Sequence, residues 1–159
     1  MLTELELRRH ARRDPAVDRL SEAGRAAAED AGRAAGAAGL RYDAVFVSPA
    51  QRAAETAAWF LRGAGQQLPD HGVVPGLGGQ DASGGSPEGM AAGVRALLDQ
   101  IPDGGRGLAI SHTPLVERAA FGLTGSEVAP MAELEGILVT RGDDGAVSVT
   151  ELRQGAATA

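Results

Sequence analysis

Two short, uninterrupted apolar runs constrain the fold more than any other feature of this sequence. The run Ala44–Val47 leads directly into Ser48-Pro49 and then into a stretch with helix propensity. The run over residues 108–110 is followed in the same way, after Ser111, by a second helical stretch. A strand that is apolar on both faces must be covered on both faces, which is typical of a parallel sheet between helices. The two runs therefore predict central strands of an α/β fold.

Predicted strands and predicted helices alternate along much of the chain. The predicted helices span residues 21–38 (with Ser21 as N-cap), 50–62, 87–100 and 113–122. The predicted strands span residues 5–7, 44–47, 73–74, 107–111, 136–140 and 146–152. Residues 142–145 (GDDG) join the last two as a hairpin, and residues 76–86 form a flexible loop. We expect a three-layer α/β/α sandwich with a mostly parallel central sheet, forming one domain over residues 1–153 with a disordered tail over 154–159.

The first strand departs from this pattern. Glu4, Glu6 and Arg8 alternate with Leu5 and Leu7. A central parallel strand is expected to be apolar on both faces, so either one face pairs with buried arginine or that face is poorly covered.

Composition excludes several classes of function. The 159 residues carry a formal net charge of −6, which argues against a nucleic-acid-binding surface. The sequence has no cysteine, lysine or asparagine, so disulfides, cysteine nucleophiles and Walker-type lysines are excluded, and all 15 basic side chains are arginine. We find no signal peptide and no apolar run long enough to span a membrane, and we expect a soluble, cytoplasmic protein.

Candidate functional side chains follow three of the predicted strands. His10, Ser48 and His112 each end or follow an apolar strand, and the carboxyl ends of parallel strands meet at one edge of a sheet. Arg9 precedes His10, and Arg52 lies one helical turn beyond Ser48. Guanidinium groups bind phosphate oxygens as bidentate forks, and an imidazole among cations stays unprotonated and nucleophilic. These residues predict a phosphoryl-binding site, whereas a zinc site is disfavoured by the neighbouring arginines.

Four segments in order resemble the motifs of the histidine phosphatase superfamily, whose fold is phosphoglycerate-mutase-like. Residues 7–12 (LRRHAR) resemble its Arg-His signature, and residues 18–25 (DRLSEAGR) resemble its D-R-P-L-T-E-x-G-R segment without the proline. Residues 48–57 (SPAQRAAETA) resemble S-P-x-x-R-A-x-x-T-A, and residues 110–114 (ISHTP) resemble G-H-N-P. The short chain and the form of the first motif are similar to the SixA-like branch, which includes phosphohistidine phosphatases.

The resemblance implies a role for each matching residue. His10 would be the nucleophile and would carry a transient phosphohistidine. Arg9 and Arg52 would bind the phosphoryl oxygens, and His112 would donate a hydrogen bond to the transferring group. No metal ion or organic cofactor is implied. The partner would be a phosphorylated protein or a small phosphorylated metabolite. The third histidine, His71, matches no motif, and we expect it on the surface.

One departure bears on the substrate. Family members that cleave alkyl phosphates carry an acidic proton donor after the Arg52 helix, but this stretch reads VPGLGGQD over residues 74–81. Asp81 and Glu88 are the nearby acids that a closing loop could recruit. An alkoxide leaving group needs a proton, whereas an imidazole leaving phosphohistidine does not. The sequence thus favours a phosphatase of protein phosphohistidine. The alternatives are a phosphatase of a small phosphomonoester, of the sugar or glycerate phosphate type, and an inactive phosphate-binding regulatory module.

Overall fold

A six-stranded sheet organises the chain, which a computed structural model describes over residues 1–68 and 70–154. The strands are β1 (Thr3–Arg9), β2 (Ala44–Val47), β3 (Gly72–Val73), β4 (Arg106–Ser111), β5 (Gly136–Arg141) and β6 (Val147–Leu152). Their order across the sheet is β3-β2-β4-β1-β5-β6. The first four in that order pair in parallel, whereas β5 pairs antiparallel with both β1 and β6. The predicted mostly parallel sheet is confirmed.

Helices cover both faces of this sheet. They are α1 (Glu22–Ala37), α2 (Gln51–Gly63), α3 (Pro87–Asp99) and α4 (Leu115–Thr124). The pair α1/α2 buries the side chains of Val45, Val47, Leu108 and Ile110 on one face. The pair α3/α4 buries Leu5, Leu7, Phe46 and Ala109 on the other. Alternate residues of β2 and β4 thus face the core under α1/α2, and the residues between them face the core under α3/α4. This confirms the predicted α/β/α layers.

The helix ends and the helix contacts have simple local causes. The hydroxyl of Ser21 accepts a hydrogen bond from the backbone N–H of Gly24 at 3.0 Å and caps α1 as the sequence predicts. Gly32 lies where α1 crosses α2, and a Cβ atom there would sit 1.7 Å from the carbonyl oxygen of Phe60. The glycine that lowers helix propensity therefore permits the close contact of the two helices.

The polar face of β1 forms a buried ion-pair network. Glu6 is fully buried on the α1/α2 side of the sheet. Its carboxylate accepts hydrogen bonds from Arg8 Nε at 2.8 Å and Arg106 Nε at 2.7 Å, and also from the Tyr42 hydroxyl. The guanidinium of Arg8 also lies over the ring of Phe60, 5.4 Å from its centroid. The alternation in β1 therefore reflects pairing with buried arginine, and not a poorly covered face.

Two local expectations were wrong. The 3₁₀ helix Pro75–Gly78 occupies the start of the predicted flexible loop over residues 76–86 and buries Leu77. The fourth helix begins at Leu115, two residues later than predicted, since Pro114 holds the N-cap position. The hairpin turn is confirmed, with the N–H of Gly145 donating to the carbonyl of Gly142 at 2.9 Å. Apart from Gln154, the predicted tail lies outside the described residues.

No helix within residues 1–68 and 70–154 combines the length and the apolar character that crossing a membrane requires.

Candidate active site

The carboxyl ends of three parallel strands bring the predicted site residues together. His10 follows β1, Ser48 follows β2 and His112 follows β4. The imidazole rings of His10 and His112 meet edge to face, with 5.1 Å between their centroids. The two histidines share one site although 102 positions separate them in the sequence.

Hydrogen bonds fix which nitrogen of the His10 ring carries the proton. The Nδ1 atom lies 2.7 Å from the carbonyl oxygen of Ala11 and must donate to it, because a carbonyl only accepts. The neutral ring therefore carries its lone pair on Nε2. Ala11 is itself held by Thr56, whose buried hydroxyl accepts the Ala11 N–H at 3.0 Å and donates to the carbonyl of Arg52 at 2.7 Å. The backbone beside His10 is thus anchored to α2.

Arg52 connects the groups of the site. Its Nε atom donates to His10 Nε2 at 3.3 Å, and its Nη2 atom lies 3.4 Å from His112 Nδ1. Its Nη1 atom donates to Asp18 at 2.9 Å. Asp18 also accepts the backbone N–H groups of Gln51 and Arg52, so it caps an α2 N-terminus whose N-cap residue, Ala50, makes no side-chain cap bond. Asp18 belongs to the second sequence motif, but motif reasoning alone gave it no role.

His112 is held from its opposite side by a buried serine. Its Nε2 atom lies 2.6 Å from the hydroxyl oxygen of Ser48, a residue that is 1% exposed. Since a guanidinium can only donate, Arg52 requires Nδ1 of the neutral His112 ring to be the acceptor. The proton then resides on Nε2 and is donated to Ser48.

Arg9 lies at the edge of this cluster. Its Nη1 atom donates to the carbonyl of Met131 at 2.9 Å. Its Nε atom is buried and has no hydrogen-bond partner among the residues that the structure describes. A buried donor without a partner is costly unless a ligand or water meets it. The charge of Arg9 acts on both imidazoles, but Arg9 is not among the residues that line the cleft described below, so the structure places it less directly at the site than Arg52.

The electrostatic setting keeps both imidazoles neutral. Burial, together with the nearby His10 and Arg52, lowers the pKa of His112 to about 4. Burial also lowers the pKa of His10, and the charges of Arg52 and Arg9 add to the effect, against the opposing influence of the Ala11 carbonyl. At neutral pH both rings are uncharged, as a nucleophile or a neutral hydrogen-bond donor must be.

A cleft of about 550 Å³ opens above the cluster. Arg52 and His112 line this cleft, while His10, which is 7% exposed and contacts both of them, is not among the lining residues. The remaining lining residues are Asp18, Ser48, Pro49, Ala50, Gly78, Gly79, Gln80, Gly84, Thr113, Pro114 and Leu115. The charged side chains of this lining are thus Arg52 and Asp18, and the others are neutral, many of them glycine or proline.

The structure does not bring the two candidate acids to this cleft. Asp81 turns away, and its carboxylate accepts hydrogen bonds from the hydroxyl and the N–H of Ser83. Glu88, in the first turn of α3, does not line the cleft either. The carboxylate among the described lining residues is Asp18. Partial burial acts to raise its pKa, but hydrogen bonds from Arg52 and the α2 backbone outweigh burial and hold the pKa below its usual range. Asp18 therefore stays ionised and is a poor proton donor at neutral pH.

His71 lies in an exposed segment, as the sequence predicts. Over residues 1–68 and 70–154, no three His, Asp or Glu side chains are grouped so that they could hold a metal ion.

Comparison with known proteins gives a consistent result. The model of the histidine phosphatase superfamily (branch 1) matches residues 3–78. No curated protein sequence matches the chain significantly.

Solved structures share the fold over nearly the whole chain. The protein histidine phosphatase SixA, complexed with tungstate, aligns over 94% of this chain and 96% of its own, with a TM-score of 0.72 and 24% identity. The phosphoglycerate mutase of Bacillus anthracis aligns over 94% and 92%, with a TM-score of 0.68 and 17% identity. A mycobacterial glucosyl-3-phosphoglycerate phosphatase aligns over 95% and 97%, with a TM-score of 0.68 and 16% identity.

At these identities the structural likeness establishes the phosphoglycerate-mutase-like fold. The match of the histidine phosphatase superfamily model over residues 3–78 covers the first three sequence motifs, and the fourth motif lies beyond it.

Proposed function

We propose that this protein is a cofactor-independent phosphatase in which Nε2 of His10 attacks phosphorus and protein phosphohistidine is the substrate. The observation that carries the proposal is the position of the Arg52 guanidinium, which donates toward the bare nitrogens of both His10 and His112. A tetrahedral oxyanion that enters between these groups would meet a guanidinium fork and a nucleophile at once.

The reaction would proceed by two displacements at phosphorus. In the first, the lone pair of His10 Nε2 forms a bond to phosphorus while the bond to the leaving nitrogen breaks. In the second, water attacks phosphorus, the bond to His10 breaks, and the protons of the water pass to the released phosphate and its surroundings. The hydrogen bond from His10 Nδ1 to Ala11 favours both steps, because the carbonyl stabilises the positive charge that develops on the ring.

Arg52 must release His10 for the first step. In the free protein its Nε atom engages the lone pair that attacks phosphorus. An incoming dianion is a better acceptor than a neutral imidazole, so the phosphoryl oxygens would draw the guanidinium away and expose Nε2. Arg9, with its unused Nε donor, supports the same charge.

The leaving-group side of the cleft favours phosphohistidine over an alkyl phosphate. Asp18 is held ionised, and Asp81 and Glu88 are absent from the described lining. Expulsion of an alkoxide without a general acid forgoes about 10²- to 10⁴-fold in rate. An imidazole whose far nitrogen carries a proton leaves as a neutral molecule, so its departure needs no general acid and does not lose this rate factor.

The charge of the cleft also disfavours small acidic metabolites. A phosphoglycerate carries a carboxylate as well as its phosphoryl group, and that carboxylate would need a second cation. Among the described lining residues the guanidinium is that of Arg52, Asp18 is anionic, and the other lining residues are neutral. A protein segment that carries phosphohistidine can bind along a neutral lining without requiring a second cation.

The discriminating experiment compares a phosphohistidine-containing protein or a phosphoramidate with an unactivated alkyl phosphate at neutral pH. We expect kcat/KM for the phosphoramidate to exceed that for the alkyl phosphate by about 10²-fold or more. Efficient turnover of the alkyl phosphate would instead support the phosphomonoester alternative, with Asp81 or Glu88 recruited on substrate binding.

Replacement of the nucleophile tests catalysis against mere binding. His10→Ala is expected to lower activity by several orders of magnitude and to abolish the phosphoenzyme. The matched control is His71→Ala, which removes an exposed imidazole outside the cleft and should leave activity unchanged. A wild-type protein that binds phosphate but turns over neither substrate would indicate the regulatory module.

A further inference from the structure

Ser48 contacts the side of His112 that faces away from Arg52. It follows the last residue of β2, it is almost fully buried, and its hydroxyl lies 2.6 Å from His112 Nε2. The backbone N–H of Ala50 also points at this hydroxyl oxygen, at 3.4 Å. A serine hydroxyl can donate or accept, so Ser48 can satisfy Nε2 of His112 in either tautomer.

The free site holds His112 in the tautomer that cannot assist a phosphoryl group. Arg52 donates toward Nδ1, so that nitrogen is bare and the proton is on Nε2. A phosphoryl oxygen that takes the place of the guanidinium at Nδ1 is itself an acceptor. The ring must therefore present a proton at Nδ1 when the oxyanion is bound, or two acceptors would face each other.

Two routes lead to a proton at Nδ1. His112 could take up a second proton and become a cation, or it could exchange tautomers and stay neutral. The second route moves one proton from Nε2 to solvent and one from solvent to Nδ1, with no net uptake. It leaves Nε2 as an acceptor, which needs a donor in a buried position.

We propose that Ser48 is a positioning residue that rotates its hydroxyl from acceptor to donor and so makes His112 a neutral hydrogen-bond donor to the bound oxyanion. The inference rests on the proposed function, since it requires a phosphoryl group between the two histidines. The neutral route fits the surroundings, because His10, Arg52 and Arg9 all disfavour a further positive charge at His112.

The direct test is nitrogen NMR of histidine-labelled protein with tungstate as the oxyanion probe, with the His112 signals assigned through His112→Gln. In the free protein we expect the neutral ring with its proton on Nε2. With tungstate bound we expect a neutral ring with its proton on Nδ1. A doubly protonated His112, or a proton that stays on Nε2, would overturn the proposal.

Kinetics supply the second arm. Ser48→Ala leaves Nε2 without a donor, and we expect kcat for the phosphoramidate to fall by about 10- to 100-fold, with Ser48→Thr restoring most of it. The matched control is Ser148→Ala, which removes an exposed serine hydroxyl on the edge strand β6 and is expected to leave kcat unchanged. Unchanged kcat in Ser48→Ala would refute the role of the hydroxyl.

The two arms separate this inference from the proposed function. A wild-type protein that hydrolyses the phosphoramidate but shows the wrong His112 tautomer contradicts only the role of Ser48. A wild-type protein that neither binds tungstate nor turns over the phosphoramidate contradicts both. If Ser48→Ala unfolds, the tautomer measured in the wild type decides.

Discussion

Glu6→Gln tests the buried network under the central strand β1. The carboxylate of Glu6 is inaccessible to solvent, and its partners Arg8 and Arg106 are only 17% and 12% exposed. The substitution keeps the size of the side chain but removes the charge and turns an NH₂ donor toward guanidinium donors. Removing one partner of a buried ion pair costs about 3–5 kcal/mol, because the remaining charges lose their counterion. We expect a decrease of that size in the free energy of unfolding.

Urea denaturation followed by circular dichroism measures this change. The matched control is Glu151→Gln, whose carboxylate is 47% exposed and pairs with Arg153 at 2.7 Å. Exposed pairs contribute about 0–1 kcal/mol, so the control should unfold at nearly the wild-type urea concentration. A loss below about 1 kcal/mol in Glu6→Gln would refute the reasoning, since the network would then be screened as if it were at the surface.

The pH dependence of the free energy of unfolding tests the same network, because the direction of the change follows from the pKa of Glu6. Burial acts to raise the pKa of Glu6, but Arg8, Arg106 and the Tyr42 hydroxyl outweigh burial and hold it below the ordinary value of 4.5. A carboxyl whose pKa is lower in the folded state stabilises the protein fully above its unfolded pKa and loses that contribution as pH falls through the folded pKa. The stability difference between wild type and Glu6→Gln should therefore be constant near neutral pH and shrink in acid.

Three further substitutions have defined outcomes. Thr56→Ala leaves the buried N–H of Ala11 unpaired and should lower the free energy of unfolding by about 1–3 kcal/mol, while Thr56→Ser should not; urea titration distinguishes them. Gly32→Ala should lower the free energy of unfolding by about 1–3 kcal/mol or more, because the new Cβ meets a backbone carbonyl of α2. Gly93→Ala in α3 should raise it by about 0.5–1 kcal/mol, because no atom lies within reach of the new Cβ. Equal melting temperatures for these two variants would contradict the helix contact. Asp18→Asn removes an anion from the cleft wall and should tighten inorganic phosphate binding by about two- to fivefold, measured by calorimetry; weaker binding would contradict this.

The sequence determined the layered architecture because its signals are local. The apolar runs of β2 and β4 can only be buried on both faces, and Ser21 caps α1 through a hydrogen bond three residues away. The same local patterns placed His10, Ser48 and His112 at strand ends, and parallel pairing of β1, β4 and β2 brings such ends to one edge. Elements that depend on short-range hydrogen bonds and hydrophobic periodicity can be inferred from the order of residues alone.

The tertiary structure decided what depends on contacts between distant residues. The polar alternation of β1 has no local explanation, because Glu6 finds Arg106 and Tyr42 on other elements. The role of Asp18 has none either, since its partner Arg52 lies 34 positions away. Which nitrogen of each imidazole is bare follows from acceptors and donors that meet only in the folded chain. Sequence patterns specify which side chains reach an edge of the sheet, but proton positions and ion pairs follow from distances that only packing sets.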